Sequence, residues 1–361
     1  MRRLIIGDIH GCFLELQDLI AAAEITDEDE IISVGDMVDR GPMDREVVDF
    51  FRNTPNARAI KGNHELKHIN WRAGKVRPSF SQRVCRHLFG DEAWNEAVDW
   101  FEQLPDFIDL PEALIVHGFF EPGVPIGEQR QKIVCGTLTG EKRMRPYGEP
   151  WYAAYDGDKP LVVGHLLYNG ADPQIVEGRF YGLDTGCCHG ERLTGLLLPG
   201  FQIVSVPART DHWAAVRDAN GHLRFAGLNP EEMKWEKLIA VLHQLEEQAE
   251  TDRYARAKSG ELFNYLEDAK GAQQTLLVEI EARHAAAEAA LEVDRSDKRA
   301  YARAYSQAIG STDLHTMLHL RRTQGFGEKQ LRSHFKRPSD LLQFMRARRS
   351  LGDEADPPAK V

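Results

Sequence analysis

Apolar positions along this chain come first as short runs and later as helical stripes. The runs Leu4 to Ile6, Ile31 to Val34, Ala113 to Val116, Leu161 to Val163, Phe180 to Leu183, Leu193 to Leu198 and Ile203 to Val206 are bounded by Gly, Pro or Asp, which predicts buried strands. Stretches with helical spacing, such as Phe13 to Ala23 and Trp94 to Gln103, lie between them. Alternation of this kind predicts an α/β domain whose sheets are covered by helices. After Asn229-Pro230 the character changes: Gly and β-branched residues thin out, Glu, Ala, Leu and Arg dominate, and the strand-like runs stop. Four segments are therefore expected: an α/β domain over 1–228, an all-α extension over 229–309, a basic helical hairpin-like segment over 310–350 and a disordered tail over 351–361. In the extension Leu238, Val241, Leu242 and Leu245 fall at i, i+3, i+4 and i+7, one face of a helix.

Composition narrows the class. A chain of 361 residues with 42% hydrophobic content can bury a sizeable core. No stretch approaches the roughly 20 apolar residues of a membrane span, and MRRLIIGDIHG enters a motif too early for a signal peptide. A cytoplasmic protein without membrane contact is expected. Cys12, Cys85, Cys135, Cys187 and Cys188 are odd in number and unevenly spaced, so reduced thiols are expected rather than a disulfide framework. The net charge of −11 argues against generic polyanion binding, yet residues 311–350 hold nine Lys or Arg against three Asp or Glu.

Six motifs carry the chemistry: GDIHG (7–11), GDMVDRG (35–41), GNHE (62–65), HG (117–118), GH (164–165) and DTG (184–186). The first five bring oxygen or imidazole donors just after a short apolar run, where a strand ends and a ligand-bearing loop begins. Asp8 and His10 alternate, so at an extended strand end both point to one face and can clasp an ion. Asp36 can bridge two ions, and Asn63, His117 and His165 can complete a second site, with the ions roughly 3.5–4 Å apart. Only Asp8 and Asp36 in this set are anionic, so two divalent cations leave the centre positive and receptive to phosphate. The mixed His, Asp and Asn donors suit manganese first, with iron or zinc as alternatives. His64, beside Asn63, is placed to protonate a leaving oxygen, with Asp39 to orient its imidazole and hold it protonated. Arg40 should fork onto two phosphate oxygens.

GDIHG, GDMVDRG and GNHE resemble the signature of the phosphoprotein phosphatases among the calcineurin-like metallophosphoesterases, over about residues 1–208. The resemblance implies a β-sandwich flanked by helices, metal ligands at Asp8, His10, Asp36, Asn63, His117 and His165, and the His64–Asp39 pair as catalytic residues. It implies hydrolysis of phosphomonoesters by attack of a metal-bound hydroxide, with phosphoserine or phosphothreonine in proteins as the leading substrate. Three departures stand out. Lys61 replaces the Arg that usually precedes GNHE, Phe119 replaces the small residue after HG, and the second phosphate clamp is sought at Arg143 or Arg145. GLDTGCCHG (182–190) also resembles the bacterial diadenosine tetraphosphate hydrolases, which usually lack Asp in VDRG and have GNHD, whereas this chain has Asp39 and Glu65. A dinucleoside polyphosphate is therefore the first alternative substrate, and a small phosphate ester remains within reach. Residues 323–347 resemble a helix-hairpin-helix with a Gly325-Phe326-Gly327 turn and flanking Lys329, Arg332, Lys336 and Arg337. The implied partner is nucleic acid, with phosphatase trimming of ends as a further reading, and a basic helix pair that simply packs is the other.

Overall fold

The computed structural model describes residues 1–352. Residues 353–361, most of the tail expected to be disordered, lie outside the described residues. The chain divides into two compact units, Met1–Leu223 and the part from Arg224 onward. The composition shift put this boundary at 228/229. Packing puts it earlier, because Phe225 and Leu228 are already committed to the helical core.

The first unit has ten strands: β1 (Arg3–Ile6), β2 (Glu30–Ser33), β3 (Ala57–Ala59), β4 (Phe107–Asp109), β5 (Leu114–Val116), β6 (Leu161–Val163), β7 (Gln174–Val176), β8 (Phe180–Gly182), β9 (Arg192–Leu198) and β10 (Gln202–Pro207). They form two five-stranded sheets, ordered β10-β9-β1-β2-β3 and β4-β5-β6-β8-β7. In the first sheet β1, β2 and β3 run parallel, as do β5, β6 and β8 in the second. The period-two alternation of side chains sorts each strand between two layers. Ile5, Ile32, Ile115, Val162, Tyr181 and Leu196 fill the space between the sheets. Leu4, Ile6 and Ile31 face the helices Phe13–Ala22, Asp44–Asn53 and Asp91–Gln103 through Leu16, Leu19, Val47, Phe51 and Phe101. Leu114, Val116, Leu161 and Val163 pack on the other side under Phe119, Trp151 and Tyr155. The result is a mixed α/β sandwich flanked by helices.

All seven apolar runs are strands. The three strands without such a run, β3, β4 and β7, are all sheet edges of three residues, where one side meets solvent or a loop and no continuous apolar stretch is required.

In the second unit, the helices Trp235–Gln248, Arg253–Ala289, Lys298–Ile309, His315–Gln324, Glu328–His334 and Pro338–Gly352 surround one core. Asp252 caps the longest of them by accepting from the amides of Tyr254 and Ala255 at 2.9 and 3.2 Å. Its buried face, Leu262, Leu266, Ala269, Gln273, Leu276 and Ile280, steps by three and four residues. Segments 229–309 and 310–350 share this core, with Leu238 and Leu276 in one cluster with Leu318, Leu331 and Leu341. No helix among the described residues is long and apolar enough to cross a membrane.

Candidate metal centre and active site

The parallel strands of both sheets end on the same rim, and their following loops carry the motifs. GDIHG follows β1, GDMVDRG follows β2, GNHE follows β3 and opens helix Asn63–Arg72, His117 follows β5, His165 follows β6 and Asp184 follows β8. This geometry costs backbone strain. His10, Asp36, Asp39, Arg40 and His165 have φ of 47°, 50°, 73°, 73° and 73°, a left-handed region that side chains avoid unless the surroundings enforce it. Close approach explains two glycines: a Cβ on Gly164 would lie 2.0 Å from Asp8 Oδ1, and one on Gly62 would lie 2.2 Å from Asp36 Oδ1. Glu65 ties two loops together, its carboxylate accepting from the amides of Asp36, Met37 and Gly62 at 2.9, 2.8 and 2.8 Å.

Six side chains expected as ligands come together. His10, Asp36 and His64 present atoms within 4.8 Å of one another, and so do Asp36, His117 and His165. Asp36 is common to both groups through different oxygens: Oδ2 lies 3.8 Å from His10 Nε2, and Oδ1 lies 3.3 Å from His117 Nε2. Asp8 Oδ2 lies 4.0 Å from His10 Nε2, and Asn63 Oδ1 lies 3.1 Å from His117 Nε2. The amide of His165 donates to both oxygens of Asp8, at 3.1 and 3.2 Å, so the loops after β1 and β6 are joined here. His10 and His117 each donate from Nδ1 to a carbonyl, Val38 at 2.8 Å and Val34 at 3.0 Å, which turns Nε2 of both into the cluster. Phe119 is buried edge-on against His165 and Trp151, at 5.3 and 5.4 Å, and supports the imidazole from behind.

The electrostatics are those of a buried cluster of like and unlike charges. Burial and the neighbouring Asp184 push the Asp8 carboxyl well above the usual range. Asp184 is itself raised by burial and by Asp36. For Asp36 burial opposes ionisation, but His117 and His64 outweigh it and hold the carboxyl well below normal. Burial would lower His117, yet Asp36 and Asp8 lift it to about 10. Burial and the His117 charge lower His165 to about 3. The carboxyls of Asp8 and Asp36, the Asn63 amide oxygen and the surrounding imidazoles are a donor set of hard oxygens and borderline nitrogens, and the residues present fit two divalent cations. One contact competes: Arg40 Nη1 donates to His10 Nε2 at 3.1 Å, so an ion on that nitrogen requires the guanidinium to swing aside.

His64 reaches the cluster with Nε2, 3.8 Å from Asp36 Oδ2, while its Nδ1 donates to Asp39 Oδ2 at 2.5 Å. Asp39 takes a second bond from His68 Nε2 at 3.0 Å, and His68 Nδ1 in turn accepts from Trp94 Nε1 at 3.0 Å. All four side chains are buried. Burial would raise Asp39; His68 and His64 outweigh it and hold the carboxyl far below normal. Arg40 also faces His64, Nη2 to Nε2 at 3.4 Å, and reaches the Cys188 sulfur.

Three expected phosphate ligands are turned elsewhere. Lys61 is buried with its ammonium 3.5 Å from Asp106 Oδ1 and 3.5 Å from the Glu102 carbonyl. Arg143 donates to Glu121 Oε1 at 2.9 Å, and Arg145 is exposed on the short turn Arg145–Tyr147. Neither arginine is brought to the cluster. Two further residues join the site beyond the expected set. Asp184 sits in the DTG motif, and His68 stands at i+4 from His64 on one helix, a spacing that puts both on one face.

A two-sheet sandwich with this rim of Asp, His and Asn donors defines a metallophosphoesterase, and residues 1–203 match the calcineurin-like phosphoesterase family, to which the chain therefore belongs. It is a phosphoester-hydrolysing enzyme, and the family uses two divalent metal ions. Among its relatives, the asymmetrical bis(5′-nucleosyl)-tetraphosphatase PrpE of Halalkalibacterium halodurans is 30% identical over 234 residues, covering 57% of this chain and 93% of the relative. The symmetrical bis(5′-nucleosyl)-tetraphosphatase of Shewanella sp. (strain W3-18-1) is 26% identical over 264 residues, covering 54% of this chain and 93% of the relative. A crystal structure of a metallophosphoesterase from Sphaerobacter thermophilus is 24% identical, with a TM-score of 0.39, over 61% of this chain and 94% of that one.

Proposed function

We propose that the enzyme hydrolyses the phosphate chain of dinucleoside polyphosphates at a two-metal centre held by Asp8, His10, Asp36, Asn63, His117 and His165, with manganese as the preferred ion. The observation that carries the centre is Asp36, whose two oxygens face two separate donor groups. The substrate reading is supported by the tetraphosphatase relatives, which favour it over the phosphoprotein expected first from VDRG and GNHE. Asp184 adds a further carboxylate beside Asp8. When bound, two divalent ions there screen phosphate charge and acidify coordinated water. The side chains do the rest. Arg40, freed from His10, forks onto phosphate oxygens, a geometry that a lysine cannot match. His64 delivers the proton on Nε2 to the leaving oxygen, because its Nδ1 is committed to Asp39. His68 and Trp94 fix Asp39, and through it the plane of the His64 ring.

Phosphoserine remains a second reading for one reason: the buried Asp39–His64 pair is the device an alkoxide leaving group needs, since such a group departs poorly without a proton. The end-phosphatase reading gains no support from the tail. The amides of Gly325 and Gly327 donate to the Arg321 carbonyl at 3.3 Å and to Gln330 Oε1 at 3.1 Å, and Phe326 is buried, so the turn does not offer these amides to a phosphate. A cytoplasmic setting is supported by five cysteines that are all free thiols. The test is a side-by-side comparison of kcat/KM with manganese on diadenosine tetraphosphate, a phosphoserine peptide and para-nitrophenyl phosphate. Diadenosine tetraphosphate should lead, and a higher value on the phosphopeptide would overturn the substrate reading.

A further inference from the structure

The helical unit contains a hollow of about 680 Å³ whose wall carries Lys234, Lys329, Arg332 and Lys336 against Glu236 and Glu328. These cations come from opposite ends of the unit. Lys234 precedes helix Trp235–Gln248, whereas Lys329 and Arg332 lie on helix Glu328–His334 and Lys336 follows it. Arg332 is held in place: Nε donates to Gln273 Oε1 at 3.2 Å, and the guanidinium carbon lies 5.0 Å from the Trp235 ring centre. Both supports are buried, Gln273 at 3% and Trp235 at 1% exposure, so the fork is fixed in advance. Gln273 is the one polar residue on the buried face of helix Arg253–Ala289, and this contact accounts for it.

Charge is concentrated in the hollow. Glu328 lies 3.5 Å from Arg332, while among the described residues no ion pair engages Lys234, Lys329 or Lys336. Other basic residues of the segment are already committed: Arg321 to Glu281 at 2.5 Å, Arg348 to Glu279 and Asp313 at 2.6 and 2.8 Å, and Arg322 over the Tyr305 ring at 5.4 Å. Of the nine basic residues in 311–350, three line the hollow and three are committed elsewhere, while Arg337, Arg346 and Arg349 are exposed outside it. A second hollow of about 420 Å³ shares Arg332 and Glu328 and adds Lys270, which is paired with Glu267 at 2.7 Å. No aromatic ring lines either hollow, so nothing there stacks on a base.

We propose that this pocket binds the oligophosphate chain of a small ligand. Three unpaired ammonium groups and one fixed guanidinium match successive phosphate oxyanions, whereas a single carboxylate would satisfy only one of them. Inorganic polyphosphate and the phosphate tail of a nucleotide share this chemistry. The site belongs to the helical unit and does not depend on the substrate read for the metal centre.

The test is isothermal titration of the full-length, metal-loaded protein with imidotriphosphate, which resists hydrolysis. The wild type should bind it at a site that Lys329→Glu/Lys336→Glu weakens by on the order of tenfold or more. Lys329→Gln/Lys336→Gln should weaken it less, and hydrolysis of para-nitrophenyl phosphate should be unchanged in both. An imido analogue of adenosine triphosphate that binds no better identifies the phosphate chain alone as the ligand; tighter binding identifies a nucleotide. Identical titrations for the wild type and both variants overturn the proposal. So does tighter, variant-sensitive binding of a single-stranded oligothymidylate of about 20 nucleotides, which makes the region a nucleic-acid surface.

Discussion

Replacing His68 by Leu probes the least obvious part of the active site. The substitution removes the 3.0 Å bond from His68 Nε2 to Asp39 Oδ1 and takes away the acceptor of Trp94 Nε1. Asp39 is 0% exposed, so no water replaces the lost donor. A hydrogen bond to a charged group contributes about 1.5–3 kcal/mol, and an orphaned buried donor costs about 1–3 kcal/mol more. Together they predict a loss of roughly 3–5 kcal/mol, a large share of the stability of an ordinary domain. The pH dependence has a definite sign. Asp39 is held below its unfolded value, so its contribution is present above about pH 4 and is lost as pH falls toward the folded value. The destabilisation should therefore be largest near neutrality and shrink in acid. Catalysis should fall as well, because the His64 ring loses its fixed partner, and more for poor leaving groups than for para-nitrophenolate. His68→Gln, whose amide can reach Asp39 as Nε2 does, should recover most of both losses. Urea unfolding at several pH values and leaving-group kinetics measure the two effects. Unchanged stability and kcat in His68→Leu, or equal losses in the Leu and Gln variants, would show that His68 does not hold Asp39 in this way.

His64→Asn should keep its metal content and lose roughly 10²–10⁴ in kcat on a poor leaving group; an equal loss on para-nitrophenyl phosphate would make His64 a ligand or binding residue instead. Metal uptake after chelation should release protons, because His117 is held up to about 10 and Asp8 and Asp184 are raised, so affinity should fall as pH drops. Titration calorimetry in buffers of different ionisation enthalpy reads this release, and its absence at pH 7 would count against His117 as a ligand. Gly164→Ala should displace Asp8, since the new Cβ would stand 2.0 Å from Oδ1, and elemental analysis should show a lost ion; full metal content would show that the loop yields.

The sandwich was legible because six strands are largely buried and, with the half-buried β10, appear as short apolar-rich runs. Edge strands such as Ala57–Ala59 and Gln174–Val176 need no such run and left no signal. The convergence of the six expected donors was legible because each stands in the loop after a strand or at the start of a helix, where local sequence fixes position. The phosphate clamps were not. Lys61 and Arg143 are long side chains whose direction is set by Asp106 and Glu121, partners that only the tertiary fold brings near. His68 was hidden for the opposite reason: a histidine inside a helix looks like surface until Asp39 and Trp94 are found against its two nitrogens.

One carboxylate, Asp36, is proposed to join two metal sites into a hydrolytic centre. Elemental analysis and para-nitrophenyl phosphate hydrolysis on purified Asp36→Asn test it together. Two ions per wild-type chain, at least one lost in the variant, and abolished hydrolysis are the predicted results. Two ions retained with full activity would show that Asp36 does not bridge them.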